Sequence, residues 1–222
     1  MEDQHYDPYA PISMGTTLLA IRYQGGVLMA SDTRTTSGNF ISERFALKGN
    51  QISPSVDRFG HIYVLRCGNA AHSQMITRMV HNYLCYQAME LAQDQKLSLK
   101  TVVTLFKNIC YSNKDFLSCA FLITNGQEIA SVNSSGAFFN HDIWASHGSG
   151  SAFLDGYMRS ECIERLNKAS AEKIAVKAVN LAIAADTSSG GCVRLIDVRE
   201  DGSASHIFLD SHELEKLCPG IN

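Results

Sequence analysis

The sequence predicts an α+β fold, and three observations lead there. Apolar runs short enough to be strands come in two blocks, paired helical patterns separate those blocks, and a final hairpin closes the chain. No low-complexity linker or internal repeat divides the 222 residues, so one domain with a substantial core is expected.

The first two strands are expected over residues 17–23 and 27–31, joined at Gln24-Gly25-Gly26, where glycines supply the positive φ of a tight hairpin. Residues 62–66 make another β-like run. A helix is expected over 71–92, with apolar positions at Met75, Met79 and Tyr83. A second helix begins near Leu99, because Leu99, Val102, Val103, Phe106, Ile109 and Cys110 form one stripe at helical spacing. Strands follow over 120–124, 128–132, 137–139 and 143–146. Two more helical patterns cover 151–166 and 171–185, the second carrying Ile174, Ala178, Leu181, Ala182 and Ala185. Strands over 192–198 and 204–209, turned at Glu200-Asp201-Gly202, end the series. This order suits stacked antiparallel sheets with helices outside, although pattern alone admits other α+β arrangements.

Composition removes several function classes. Lys+Arg total 19 against 22 Asp+Glu, a net charge of −3, and no basic block could track a phosphate backbone, so nucleic acid is not an expected partner. No apolar stretch approaches the roughly 18–20 residues that span a bilayer, so no membrane partner is expected either. Seven scattered cysteines without a Cys-x-x-Cys pair fit reduced thiols in the cytosol or nucleus. Eight histidines without metal-ligand spacing give no reason to expect zinc, and no other cofactor is called for. Asn133-Ser134-Ser135 matches a glycosylation acceptor by chance in that setting. Residues 1–15 lack the basic end and apolar centre of a secretory signal and read as a removable leader before a domain over 16–222.

Gly15-Thr16-Thr17 carries the chemistry. Cutting after Gly15 would give Thr16 an α-amine beside its hydroxyl. Such an amine has a pKa of roughly 7.7–8.0 and can act as a general base near neutrality. Threonine paired with its own amine is a known activated nucleophile. The hairpin should return Asp32 to the neighbourhood of Thr16. A buried Lys48 paired with that carboxylate would put positive charge beside the hydroxyl and favour its alkoxide; a surface salt bridge is the plain alternative.

Thr16, Asp32, Arg34 and Lys48, with Gly-Ser-Gly-Ser at 148–151 and Asp186-Thr187-Ser188-Ser189-Gly190-Gly191, resemble a 20S proteasome beta subunit, closest to the catalytic beta-1, caspase-like type. The resemblance runs from Gly15 to about His206. It implies a four-layer αββα sandwich, the N-terminal nucleophile hydrolase fold, and a threonine endopeptidase that cleaves after acidic residues. It also implies self-cleavage at Gly15 and no cofactor. The expected partners are other beta and alpha subunits of a four-ring heptameric barrel and unfolded polypeptides, in cytoplasm and nucleus. Thr16 is then the nucleophile, and Asp32 orients Lys48. Ser149, Asp186 and Ser189 hold the amine and its water, and the Gly68 N–H is the oxyanion donor, with glycine admitting the substrate closely. Arg66 maps onto the base of the S1 pocket, with Thr35, Ala46, Ala70 and Gln74 on its walls.

Each assignment has a structural alternative. The 148–151 loop could be an anion-binding helix start, and 186–191 a helix end with a glycine turn. The terminal amine is the expected base, since Asp32 should keep Lys48 charged; a Lys48 held neutral by desolvation is the other candidate. The chain departs from the family between Lys48 and Arg66, where it is several residues longer, and at His72, where an acidic residue is usual. A non-catalytic beta subunit of the same ring is the alternative function, disfavoured by the joint presence of Gly15, Thr16, Asp32 and Lys48. A different N-terminal-nucleophile amidohydrolase is weaker still, and no Gly-x-Ser-x-Gly elbow supports a serine hydrolase.

Overall fold

The computed structural model describes residues 15–37, 40–54, 61–90, 97–161 and 166–220. Residues 1–14 of the expected leader lie outside the described residues, as do 91–92 and 162–165 of two expected helices.

The chain opens with β1 (Leu18–Tyr23), β2 (Gly26–Asp32), β3 (Thr35–Ser37), β4 (Phe40–Glu43), β5 (Gly49–Gln51) and β6 (Tyr63–Gly68). Helices α1 (Ala70–Glu90) and α2 (Leu99–Ser112) follow, then β7 (Cys119–Thr124), β8 (Ile129–Val132), β9 (Phe138–His141) and β10 (Trp144–His147). The last part is α3 (Ser151–Ser160), α4 (Lys168–Ala185), β11 (Val193–Arg199), β12 (Ala204–Leu209) and α5 (Ser211–Leu217). One antiparallel sheet has the order β10-β1-β2-β11-β12 and the other β5-β6-β7-β8-β9; β3 and β4 form a small hairpin apart from both.

Side-chain alternation builds four layers from these sheets. In β1, Leu19, Ile21 and Tyr23 pack under α3, α4 and α5 with Leu154, Ala178 and Leu214. Leu18 and Ala20 of the same strand, with Ile196 of β11 beside them, face the other sheet, where Leu65, Leu122 and Ile129 meet them. The far side of that second sheet packs Val64, Phe121, Ile123 and Val132 against Ile76, Val80 and Phe106 of α1 and α2. Strands buried on both faces have no polar side to alternate, which is why β1 and β2 read as continuous apolar runs. The observed order, helices–sheet–sheet–helices, is the four-layer sandwich expected.

Several local expectations need correcting. Met75, Met79 and Tyr83 of α1 are about half exposed. Ser73, Ile76, Thr77, Val80, Leu84 and Ala88 make the buried face instead. This helix carries apolar residues on two sides, so periodicity could not say which side meets the sheet. At the first hairpin only Gly25 has positive φ. Gly26 is needed for space: a Cβ there would lie 2.5 Å from the Val198 carbonyl oxygen. α4 begins earlier than expected, at Lys168, because the Asn167 side chain accepts the Ser170 N–H and caps it. β3, β4, β5 and α5 were not expected at all; the three strands have only three or four residues each.

Candidate active site

Thr16 stands just before β1, and its neighbours come from both sheets. The Asp32 carboxylate, at the end of β2, is fully buried and saturated with donors. It accepts the Thr17 N–H at 2.9 Å, the Gly190 N–H at 3.1 Å and the Lys48 ammonium at 2.7 Å. Lys48 arrives from the segment leading into β5 and is also buried. Its Nζ donates to Thr16 Oγ1 at 3.2 Å. Burial pulls the Lys48 pKa below the ordinary lysine value, and the Asp32 charge and hydrogen bond only partly offset this. Desolvation thus acts in the direction of the alternative base, a Lys48 held neutral by burial, and against the expectation that Asp32 keeps the lysine charged.

A second network surrounds the Thr16 nitrogen, which is a peptide N–H while Gly15 is attached. It donates to Ser149 Oγ at 3.2 Å, and Ser149 donates on to Asp186 Oδ2 at 2.6 Å. Ser189 Oγ donates to the same carboxylate oxygen at 2.7 Å, so the 2.8 Å contact between Thr17 and Ser189 has the threonine hydroxyl as donor. Burial of Asp186 would raise its pKa, but hydrogen bonds from Ser149, Ser189 and the Ser188 and Ser189 amides hold it below the usual carboxylate value. Asp186 is also the C-cap of α4, so the structural and site readings of this loop hold together. The anion this loop meets is the chain's own Asp186, and the Gly150 and Ser151 N–H groups, which an external anion would need, donate to the Thr16 and Gly148 carbonyls.

Glycines let this loop close on Thr16. Gly148 has φ +94°, and a Cβ on it would come within 2.0 Å of the Thr16 carbonyl oxygen. Gly15 is equally confined, since a Cβ there would lie 2.0 Å from the Ser188 backbone. The Gly15 carbonyl oxygen accepts from Thr16 Oγ1 at 2.7 Å, so the hydroxyl already touches the carbonyl it would attack.

Gly68 and Arg66 share a small cleft with Thr16. The requirement for glycine at 68 differs from the one expected: φ is +84°, and a Cβ would meet the Ser118 carbonyl oxygen at 2.2 Å rather than a substrate. Beside the cleft opens a cavity of about 800 Å³. All five expected S1 residues, Arg66, Thr35, Ala46, Ala70 and Gln74, line it. The Arg66 guanidinium is half-buried, with Nη2 donating to the Leu47 carbonyl at 2.8 Å and Nη1 3.5 Å from Ser73 Oγ. No carboxylate pairs with it among the described residues. Desolvation pulls its pKa down.

Sequence reasoning missed Thr17, whose amide and hydroxyl link Asp32 to the serine network, and the Gly190 N–H. It also missed Asn50, Gln51, Thr77, Arg78 and His81 on the cavity wall. The spacing 74, 77, 78, 81 on a helix already known to follow Arg66 could have flagged the last three. Arg34 sits beside the site, donating to the Thr187 carbonyl and lying where a side chain on Gly190 would be. His72 lies outside the cavity lining and donates its backbone N–H to Asn69. No group of three or more His, Cys, Asp and Glu among the described residues could hold a metal.

Two face-to-face antiparallel sheets under helices, with a glycine-preceded threonine at the start of an inner strand, define an N-terminal nucleophile hydrolase sandwich. The chain belongs to the proteasome subunit family, whose model matches residues 12–198. It is 32% identical over 216 residues to a proteasome subunit beta type-6 of Dictyostelium discoideum, covering 95% of this chain and 92% of that protein. It is 32% identical over 202 residues to a probable proteasome subunit beta type-1 of Schizosaccharomyces pombe, with coverages of 89% and 85%. A proteasome subunit beta type-9 of Oryzias latipes is 30% identical over 204 residues, 89% of each chain. The family resemblance read from the motifs is thus shown at the level of the beta subunits, whose members assemble with other alpha and beta subunits into the 20S barrel.

Proposed function

We propose that this chain is a catalytic beta subunit: a threonine endopeptidase that matures by cutting after Gly15 and then hydrolyses unfolded polypeptides after acidic residues. One observation carries the reading. Thr16 Oγ1 lies 2.7 Å from the Gly15 carbonyl oxygen and 3.2 Å from a buried lysine held by Asp32.

In the uncut chain the Thr16 nitrogen is an amide and has no basic lone pair. Lys48 is then the group in reach of the hydroxyl proton. Attack of Oγ1 on the Gly15 carbonyl carbon shifts the acyl group from nitrogen to oxygen, and water hydrolyses the resulting ester. The freed amine is left beside Ser149 and, through it, Asp186. In later turnovers that amine, with a pKa near 8, shares the base role with Lys48. The Gly68 N–H receives the developing oxyanion, an interaction type that contributes about 3–4 kcal/mol of barrier lowering. Arg66, without a carboxylate of its own, supports selection of Asp or Glu before the cleaved bond. The working form is the barrel assembled with other subunits, in cytoplasm and nucleus.

The test uses assembled particles containing this chain. Mass spectrometry should find Thr16 as the first residue, and an electrophilic inhibitor should add to it. A leader still attached in finished particles, with no adduct, would mean a silent subunit. Thr16→Ala should abolish both cutting and labelling.

A further inference from the structure

The cavity beside Thr16 is larger and more positive than one acidic side chain requires. Its volume of about 800 Å³ is in the range that takes a drug-sized molecule. Arg66 occupies the end nearest the nucleophile, since it also lines the cleft containing Thr16 and Gly68. Gln74, Thr77, Arg78 and His81 line another part of the wall, and their spacing puts all four on one face of α1.

The charges on this wall are unevenly matched. Lys48 is committed to Asp32. Glu43 is the one carboxylate lining the cavity among the described residues, and its Oε1 accepts the Phe45 N–H at 2.9 Å. His81 is held through Nδ1 by the Ile52 carbonyl at 2.9 Å. Neither Arg66 nor Arg78 forms a salt bridge among the described residues. Arg66 is anchored next to Ser73, and Arg78 lies one turn beyond Gln74 on the cavity face of α1, five positions after Ser73, roughly 7.5 Å along the helix axis and about 140° around it. In an extended peptide, side chains two residues apart point the same way at a spacing of about 6.6–6.8 Å.

We propose that Arg78 forms a second anion site in this cavity, so that the favoured substrates are acidic segments with carboxylates two residues apart. The carboxylate before the cleaved bond meets Arg66, and the one two positions earlier meets Arg78. This inference rests on the catalytic reading above and names its substrate class more narrowly.

Three fluorogenic peptides tested on assembled particles distinguish the possibilities: Leu-Leu-Glu, Glu-Leu-Glu and Leu-Glu-Glu, each with the leaving group after the last residue. Glu-Leu-Glu should have the highest kcat/KM, and its advantage over Leu-Leu-Glu should shrink as salt rises. Arg78→Gln should cut the Glu-Leu-Glu to Leu-Leu-Glu ratio about fivefold, the size of one partly exposed ion pair, and Arg78→Lys should restore most of it. A ratio unmoved by Arg78→Gln overturns the proposal, as does an equal advantage for Leu-Glu-Glu, which would reflect net charge alone. Should Arg78→Gln particles fail to assemble, a salt-independent ratio in unmutated particles overturns it. Failure to cleave Leu-Leu-Glu at all would instead remove the catalytic reading beneath it.

Discussion

At the scale of single residues, the site depends on atoms that leave no room for change. Gly15 has none, because a Cβ would sit 2.0 Å from the Ser188 backbone. Gly15→Ala should therefore slow leader removal at least tenfold, followed as the ratio of uncut to cut chain on a denaturing gel. Arg66 offers a different test. Arg66→Leu should lower kcat/KM for a Glu-ending peptide about a hundredfold while leaving electrophile labelling of Thr16 intact; an equal loss across all peptide types would sink the pocket assignment. Asp186 ties the site to acid stability. Its pKa in the folded chain is depressed, so its contribution is present above the unfolded value of about 3.9 and is lost as pH falls through the folded value. Ser149→Ala removes one of the hydrogen bonds responsible, so the folded pKa rises and acid unfolding should begin at higher pH, as circular dichroism would record.

At the scale of elements, α1 separates what sequence could and could not say. Its existence was legible from a long run of helix formers, but its inward face was not, because Met75, Met79 and Tyr83 compete in hydrophobicity with Ile76, Val80 and Leu84. Only the sheet beneath decides. Ile76→Ala should therefore cost about 2–5 kcal/mol in chemical denaturation, whereas Met79→Gln should stay within about 0.5 kcal/mol. Strands β1 and β2 were legible because burial on both sides leaves an unbroken apolar signature. β3, β4 and β5 were not, since three or four residues, most of them at least partly exposed, carry almost no pattern. The candidate site was legible through family motifs: Asp32, Lys48, Ser149, Asp186 and Ser189 do come together around Thr16. Thr17, Gly190 and Arg78 escaped, the first two because backbone amides leave no mark in a sequence, the third because its role depends on which way α1 faces.

At the scale of the whole molecule, the site is divided between the sheets. Thr16 and Asp32 belong to one, while Lys48, Arg66 and Gly68 come with the other. The apolar layer between them, with Leu18, Met29, Leu65 and Leu122, sets the distance across which Lys48 reaches Thr16. Leu122→Ala should cost about 2–5 kcal/mol of stability, and peptidase activity should fall although the mutation touches no site residue. Measuring both on one preparation would expose the coupling; full activity in a destabilised variant would deny it.

The edge strands β9 and β10 add a final consequence. Only Asp142 and Ile143 separate them, yet β9 closes one sheet and β10 the other. The two leaves are thus stitched along one margin, like a book at its spine, while β5 and β12 lie at the opposite margin without such a short covalent tie. Any breathing of the sandwich must widen toward that fore-edge, and β5, the strand that follows Lys48, stands there. The lysine's grip on the threonine hydroxyl is accordingly the contact that such opening would loosen before those nearer the binding.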